Sequence, residues 1–129
     1  EIGRYWYPVD LHATKPEKFG EPSEGGEIFK TLHYKNGESY GVPYRCLLPK
    51  GLDNVLTAGR CISVDRYMLG SIRVQAGCYL TGQAAGMAAA MSSDKDIPTR
   101  AVDIKQLQIK LNLKSGERKC AEHKVAALH

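Results

Sequence analysis

The chain has 129 residues, of which 43% are hydrophobic and 25% are charged, and its net charge is +4. This composition is typical of a globular domain, and no apolar run reaches the roughly 20 residues that a membrane-spanning helix needs, so no membrane partner is expected. The basic residues are spread along the chain among glutamates, which argues against a nucleic-acid-binding surface.

The cysteines form no Cys-x-x-Cys pair, so the sequence predicts no metal site. A chain of this length does not need disulfides, and reduced cysteines commonly act as small apolar fillers. We expect this role for most of the four and, with it, a reducing compartment such as the cytoplasm. They are Cys46, Cys61, Cys78 and Cys120.

The amino-terminal third of the chain has the pattern of β structure. The run from Ile2 to His12 is rich in aromatic and β-branched residues and predicts a strand, which Pro8 either places at a sheet edge or ends. Residues 13–26 hold several prolines and glycines and are interpreted as a loop. Asn36-Gly37 lies between two strand-like runs and predicts a hairpin turn, since both residues tolerate positive φ.

A turn at Pro49–Asp53 comes next, and the short apolar run from Asn54 to Ala58 predicts a buried strand. Gly59 follows that run directly and permits a tight turn or the close approach of a ligand. Residues 60–71 show no clear periodicity and are interpreted as a connection.

Two helices are predicted in the remainder of the chain. The first is rich in small residues and runs from about Ile72 to Ser92. The second begins after Asp103, which can cap it, and Gly116 can end it. An apolar stripe with helical spacing supports the second helix, and it consists of Ile104, Leu107 and Leu111.

The small-residue helix contains Gly77, Gly82 and Gly86. A glycine inside a helix costs about 1 kcal/mol relative to alanine, so these glycines indicate a close neighbour, which could be a sheet, a helix or a planar cofactor. Standard phosphate motifs do not decide between them: Gly-x-Gly-x-x-Gly is absent, and Gln83 stands where a P-loop requires lysine. Spacing alone favours close helix packing and leaves a cofactor open.

The run from Tyr40 to Leu111 resembles the carboxyl-terminal part of FAD-dependent oxidoreductases of the glutathione-reductase-like flavoprotein superfamily. The motifs that carry the resemblance are, in order, "PYRCLLPK", "NVLTAGRCIS", "GSIRVQAGC" and "TGQAAGMAAA". The "YPVDLH" of Tyr7 to His12 is similar to a run upstream of them. The family's dinucleotide fingerprint does not occur here, so we expect a carboxyl-terminal fragment whose main partner is the remainder of its own polypeptide.

The resemblance implies a fold class, a mixed α+β fragment. An antiparallel hairpin region would precede the last strand and helix of a Rossmann-like FAD-binding domain and a carboxyl-terminal helix. In domain terms, residues 1–45 would be a β-rich part of the substrate-side domain and residues 46–93 the strand, loop and helix of the FAD-binding domain. Residues 94–114 would form the last helix, and residues 115–129 a polar tail.

The resemblance also implies a site for FAD in the full-length enzyme, where the helix amino terminus would favour negative charge on the flavin and so promote hydride acceptance. The fragment alone is expected neither to bind FAD nor to catalyse, because the pyrophosphate site is absent. The cofactor-contacting residues would be Ala58, Gly59, Arg60, Gly82, Gln83 and Ala84.

Arg45 and Arg73 are candidates for binding a small-molecule substrate, with a salt bridge and a capping role as their respective structural alternatives. Asp10 and His12 are weaker candidates for lining a pocket. Where many relatives carry a histidine, this chain has Asp65-Arg66, and no catalytic residue is assigned.

A different class of function also stays open. The alanine- and glycine-rich helix could instead dock a partner chain in a non-enzymatic interaction module. In either class, its exposed face could support self-association.

Overall fold

A two-stranded antiparallel sheet and three α-helices make up the parts of the chain that the computed structural model describes, residues 1–10 and 33–113. Strand β1 is Gly3–Tyr5 and strand β2 is Tyr40–Val42, with Gly3 opposite Val42 and Tyr5 opposite Tyr40. The predicted mixed α+β class is therefore confirmed.

The first strand is shorter than the sequence predicted. Strand β1 ends at Tyr5, which pairs with Tyr40, the first residue of β2. Trp6 and Tyr7 beyond it are exposed, and Pro8 has no N–H to donate to a ladder. His12 lies outside the described residues.

The predicted turn at Asn36-Gly37 is present. Gly37 has a φ of +86°, which glycine adopts without strain, and the N–H of Glu38 donates to the carbonyl oxygen of Lys35 at 2.9 Å. The expected hairpin is not seen, because β2 pairs with β1 and residues 33–35 before the turn are not in a strand. Residues 27–32 of the expected incoming strand lie outside the described residues.

The prediction of a buried strand at residues 54–58 is wrong for this structure. Asn54 and Val55 are exposed, and the part of the chain described contains no strand alongside them. Instead, Thr57 donates its N–H to the carbonyl oxygen of Leu47 at 2.8 Å. The run therefore lies beside the 3₁₀ turn at Tyr44–Leu47 and is hydrogen-bonded to its last residue. The predicted turn before it is confirmed, with Gly51 at a φ of +80°.

Residues 60–71, interpreted from sequence as a connection, contain helix α1, Arg66–Ile72. Asp65 caps this helix, because its side chain accepts a hydrogen bond from the N–H of Met68 at 2.7 Å. The helix has only seven residues and includes Gly70 and Ser71, which are weak helix formers, so its sequence shows no clear periodicity.

Helix α2 spans Gln75–Asp94 and is the predicted small-residue helix. It begins later than the predicted Ile72, because Val74 is extended (φ −76°, ψ 162°) and separates it from α1. After the helix, Asp96 takes the left-handed conformation (φ 50°), and the N–H of Ile97 donates to the carbonyl oxygen of Ser92 at 3.0 Å. This arrangement commonly ends helices.

Helix α3 spans Ile104–Lys110, and the predicted cap is confirmed, since the side chain of Asp103 accepts from the N–H of Lys105 at 2.8 Å. The helix does not extend to Gly116. Asn112 takes the left-handed conformation (φ 54°) and ends it, and Gly116 lies outside the described residues.

The core lies between the sheet, the inner face of α2 and α3. The sheet and α2 approach closely at Gly3 of β1, where a Cβ would lie 2.8 Å from Cδ1 of Leu80. The side chains exposed by 2% or less include Leu47, Ile72, Ala84, Ala88 and Leu107.

Three cysteines fall in the described residues, and all three are free. Cys46 is buried as a filler would be, whereas Cys78 is partly buried and Cys61 is exposed. Cys120 lies outside the described residues, and the predicted domain boundaries stay predictions.

No helix in the described ranges combines the length and hydropathy that crossing a membrane demands. No cluster of three or more histidine, cysteine or acidic side chains among those residues has the arrangement of a metal site.

Candidate functional site

The turn at Ala58-Gly59-Arg60 is attached to the first turns of α2. The N–H of Gly59 donates to Oγ1 of Thr81 at 2.9 Å, and that oxygen lies 2.9 Å from the carbonyl oxygen of Gly77. Thr81 is completely buried. A Cβ at Gly59 would meet only ordinary contacts, 3.7 Å from Sγ of Cys78, so the positive φ of +65° is what favours glycine here.

Arg60 joins the same turn to the junction between α1 and α2. Its Nε donates to the carbonyl oxygen of Arg73 at 3.0 Å, while the side chain stays exposed. Arg60 forms no ion pair with another described residue, so its terminal guanidinium nitrogens can still bind an anion.

Arg73, a predicted substrate residue, lies at the end of α1 and is paired with Asp10. Its Nη2 lies 3.0 Å from Oδ2 of Asp10, and both side chains are about half exposed. This ion pair ties the segment after β1 to the α1–α2 junction. A substrate role for Arg73 stays a prediction.

The amino terminus of α2 lies at this junction and has no side-chain cap from Val74. Gln75 and Ala76 in its first turn are exposed, so the positive end of the helix dipole faces outward. Gly77 is required by close packing, because a Cβ there would collide with the carbonyl oxygen of Ile72. Close helix packing, the simpler interpretation of the glycines from sequence, therefore holds at Gly77.

Packing does not explain the other two glycines of α2. A Cβ at Gly82 or Gly86 would have no heavy atom within 4 Å among the residues described. Gly82 and Gln83 are exposed, whereas the side chain of Ala84 is completely buried in the core. The predicted cofactor residues on α2 thus divide between an open surface at 82–83 and the core at 84.

The site groups at this junction are two arginines, of which Arg73 is paired with the carboxylate of Asp10, and the helix amino terminus. The nearby phenol of Tyr5 is no base at neutral pH, because burial raises its pKa, an effect that a hydrogen bond from the backbone of Gly77 only partly opposes. The arrangement is suited to holding an anionic or electron-rich group rather than to abstracting a proton.

A second feature is a cavity of about 390 Å³ that does not include the predicted cofactor residues. It lies beside β2, the 3₁₀ turn at 44–47 and the start of α1. Arg45, the other predicted substrate residue, lines it together with Asp65. The structure therefore brings Arg45 and Asp65 to one cavity and places Arg60 and Arg73 together at the α1–α2 junction.

A hydroxyl pair, of a partly buried tyrosine and a buried serine, borders this cavity. Oγ of Ser71 donates to the carbonyl oxygen of Tyr7 at 2.5 Å, which uses its one proton, so the hydroxyl of Tyr40 donates to Ser71 at 2.7 Å. Burial raises the pKa of Tyr40 strongly, with a smaller opposing effect of the Ser71 hydrogen bond. Tyr40 is therefore a neutral donor that is already committed.

Sequence reasoning missed Thr81 and Ser71, which organise the two sites. Thr81 had a detectable signal, since a β-branched hydroxyl residue is unusual inside a run of alanine and glycine. Ser71 had none, because its partners Tyr7 and Tyr40 are distant in the chain and are brought together only by the fold.

Comparison with families of known proteins places the chain. A family model described as FAD dependent oxidoreductase matches residues 1–111. Searches of the curated proteins and of the solved structures found no match. The match covers nearly all the described residues and both candidate sites, and FAD is the cofactor that the family uses. The chain therefore belongs to the FAD-dependent oxidoreductase family.

Proposed function

We propose that this chain supplies a flavin-contacting turn and helix amino terminus to an FAD-dependent oxidoreductase of the glutathione-reductase-like superfamily. It acts with the remainder of its own polypeptide, and residues 46–93 contribute to a Rossmann-like FAD-binding domain. The hydrogen bond from Gly59 to Thr81 carries the proposal, because it holds the turn and Arg60 beside the open start of α2.

The residues present fit the cofactor. Gly82 and Gly86 leave a flat, exposed helix surface with no Cβ to keep a planar ring away. Bound FAD supplies a ring that accepts a hydride from the substrate.

The chain's own groups act on charge and position. The guanidinium of Arg60 and the uncapped amino terminus of α2 stabilise negative charge next to them. The ion pair between Arg73 and Asp10 keeps the α1–α2 junction in place, so that these two positive groups stay together. The completely buried Thr81 keeps the turn from moving relative to the helix.

The test uses the intact polypeptide and its visible absorbance spectrum. We expect a stoichiometric flavin spectrum, and Gly59→Ala should lower FAD occupancy. Gly37→Ala is the matched control, since Gly37, like Gly59, has a positive φ (+86°). Gly37 lies in a distant turn, and no heavy atom lies within 4 Å of its Cβ position. A colourless polypeptide, or equal loss of FAD in both variants, would refute the proposal.

A further inference from the structure

The cavity next to α1 has the size and lining of a small-molecule site. Its volume is about 390 Å³, within the roughly 300–1,000 Å³ range of ligand pockets. Much of its lining is apolar, from Val42 at the end of β2 to Met68 and Ile72 on α1. A ligand with an apolar body would bury that body here.

Arg45 is the cationic side chain of this lining. It forms no hydrogen bond or ion pair through its side chain with any residue in the described ranges. Burial raises the pKa of the neighbouring Cys46 thiol, and the positive charge of Arg45 partly offsets that rise. A guanidinium presents two parallel N–H groups that match a carboxylate. A guanidinium at an apolar cavity, with no partner among the described residues, is thus complementary to an organic acid.

The other polar groups narrow the choice of ligand. The hydroxyl of Tyr40 is committed to Ser71, and Oδ1 of Asp65 accepts from the N–H of Met68. Asp65 also places a negative charge at the cavity. A second carboxylate on the ligand would be repelled by that charge, whereas a neutral body would not.

We propose that this cavity binds a small monocarboxylate with an uncharged apolar body, held by the guanidinium of Arg45 and packed against Val42, Met68 and Ile72. That this ligand is the substrate of the flavoenzyme rests on the proposed function. Binding itself needs no cofactor, so it can be tested separately.

The test follows the methyl resonances of Met68 and Ile72 in the full chain, without FAD, during titration with benzoate and with its neutral analogue benzamide. Benzoate should shift both methyls saturably, and benzamide should bind at least about tenfold more weakly, because it lacks the charge that the guanidinium pairs with. Equal affinity for the two probes, or no saturable shift of these methyls, would overturn the inference.

Variants then assign the charge. Arg45→Gln should weaken benzoate binding at least about tenfold. Lys50→Gln changes the net charge equally, lies outside the cavity lining and should leave benzoate binding unchanged. Unchanged benzoate binding in Arg45→Gln would overturn the inference. Arg45 is exposed, and its side chain has no hydrogen-bond or ion-pair partner in the described part of the chain, so this variant is expected to fold.

Asp65→Asn tests the selection against a second charge. Asparagine also caps helices well, so α1 is kept while the negative charge is removed. Benzoate should bind this variant at least as well as the unmodified chain, and the dicarboxylate phthalate should gain affinity. Loss of benzoate binding in Asp65→Asn would contradict the inference, because an anion held by Arg45 should not depend on a carboxylate beside it.

The two proposals fail in different ways. An intact polypeptide that is colourless but whose methyls respond to benzoate refutes the flavin proposal and keeps the binding site. A yellow polypeptide without a benzoate response refutes only the ligand class.

Discussion

The backbone N–H of Gly59 donates to the side-chain hydroxyl of Thr81 at 2.9 Å, across 22 positions of the chain. Thr81→Val keeps the shape of the side chain but removes the acceptor. Because Thr81 is completely buried, the free energy of unfolding should fall by about 1–3 kcal/mol, the cost of leaving a partly buried donor unpaired. Urea denaturation monitored by circular dichroism measures this change.

Two variants control this prediction. Thr81→Ser keeps the hydroxyl and should lose less stability than Thr81→Val. Thr57→Val removes a hydroxyl that donates to the carbonyl oxygen of Leu47 at a longer 3.3 Å, and it should cost less because that carbonyl also accepts from the N–H of Thr57. If Thr81→Val were no worse than Thr57→Val, the turn would not depend on Thr81.

Arg60 should matter for FAD and not for folding. Its side chain is exposed and, within residues 1–10 and 33–113, makes one hydrogen bond, to the carbonyl oxygen of Arg73, so Arg60→Gln should leave the free energy of unfolding nearly unchanged. In the intact polypeptide, FAD affinity should fall by roughly ten- to hundredfold, since a hydrogen bond to a charged group is worth about 1.5–3 kcal/mol. Fluorescence titration with FAD gives the affinity.

Lys105→Gln makes the same change in charge on α3 and is the control for Arg60→Gln. It should leave FAD affinity unchanged at physiological salt. An equal loss in both variants would mean that Arg60 acts only through the net charge of the chain.

Helix α3 offers a matched pair for the core. Leu107 is completely buried, whereas Ile109, two residues away, is 69% exposed. Leu107→Ala should lower the free energy of unfolding by about 2–5 kcal/mol, because it removes apolar contacts and leaves a cavity. Ile109→Ala should change it by less than about 1 kcal/mol. Thermal denaturation distinguishes the two, and similar losses would place α3 away from the core.

The features that the sequence predicted correctly are local ones. Asp103 caps α3 through N–H groups two and three residues ahead, and Gly37 needs only its own φ to make a turn. Such signals are complete within a few residues. The motif of Ala58-Gly59-Arg60 also marked a real turn, which the structure attaches to α2.

The errors concern features that depend on distant partners. Residues 54–58 have the composition of a strand, but a strand forms only beside another strand, and here their neighbour is the 3₁₀ turn at 44–47. Helix α1 contains two weak helix formers and is supported instead by its Asp65 cap and by packing on α2. The pairing of Arg73 with Asp10 likewise joins residues that only the fold brings together.

Tyr40 predicts a loss of stability in alkali. Burial raises the pKa of its phenol in the folded chain above the ordinary value of about 10. At a pH between the pKa of the unfolded chain and that of the folded chain, the unfolded chain releases a proton that the folded chain keeps. Above about pH 10 the folded state therefore binds more protons than the unfolded state, and the free energy of unfolding falls as the pH rises. Below that pH, Tyr40 contributes no pH dependence.

The measurement is urea denaturation from pH 8 to pH 11, with Tyr40→Phe as the variant. Phenylalanine has no ionisable group, so the variant should be less stable at pH 8, where the hydrogen bond to Ser71 is lost, but should decline less steeply above pH 10. Buried Tyr44 has a raised pKa for the same reason and remains in the variant, so a smaller slope should persist. Identical slopes in the two proteins would show that the Tyr40 phenol ionises as readily in the folded chain as in the unfolded one.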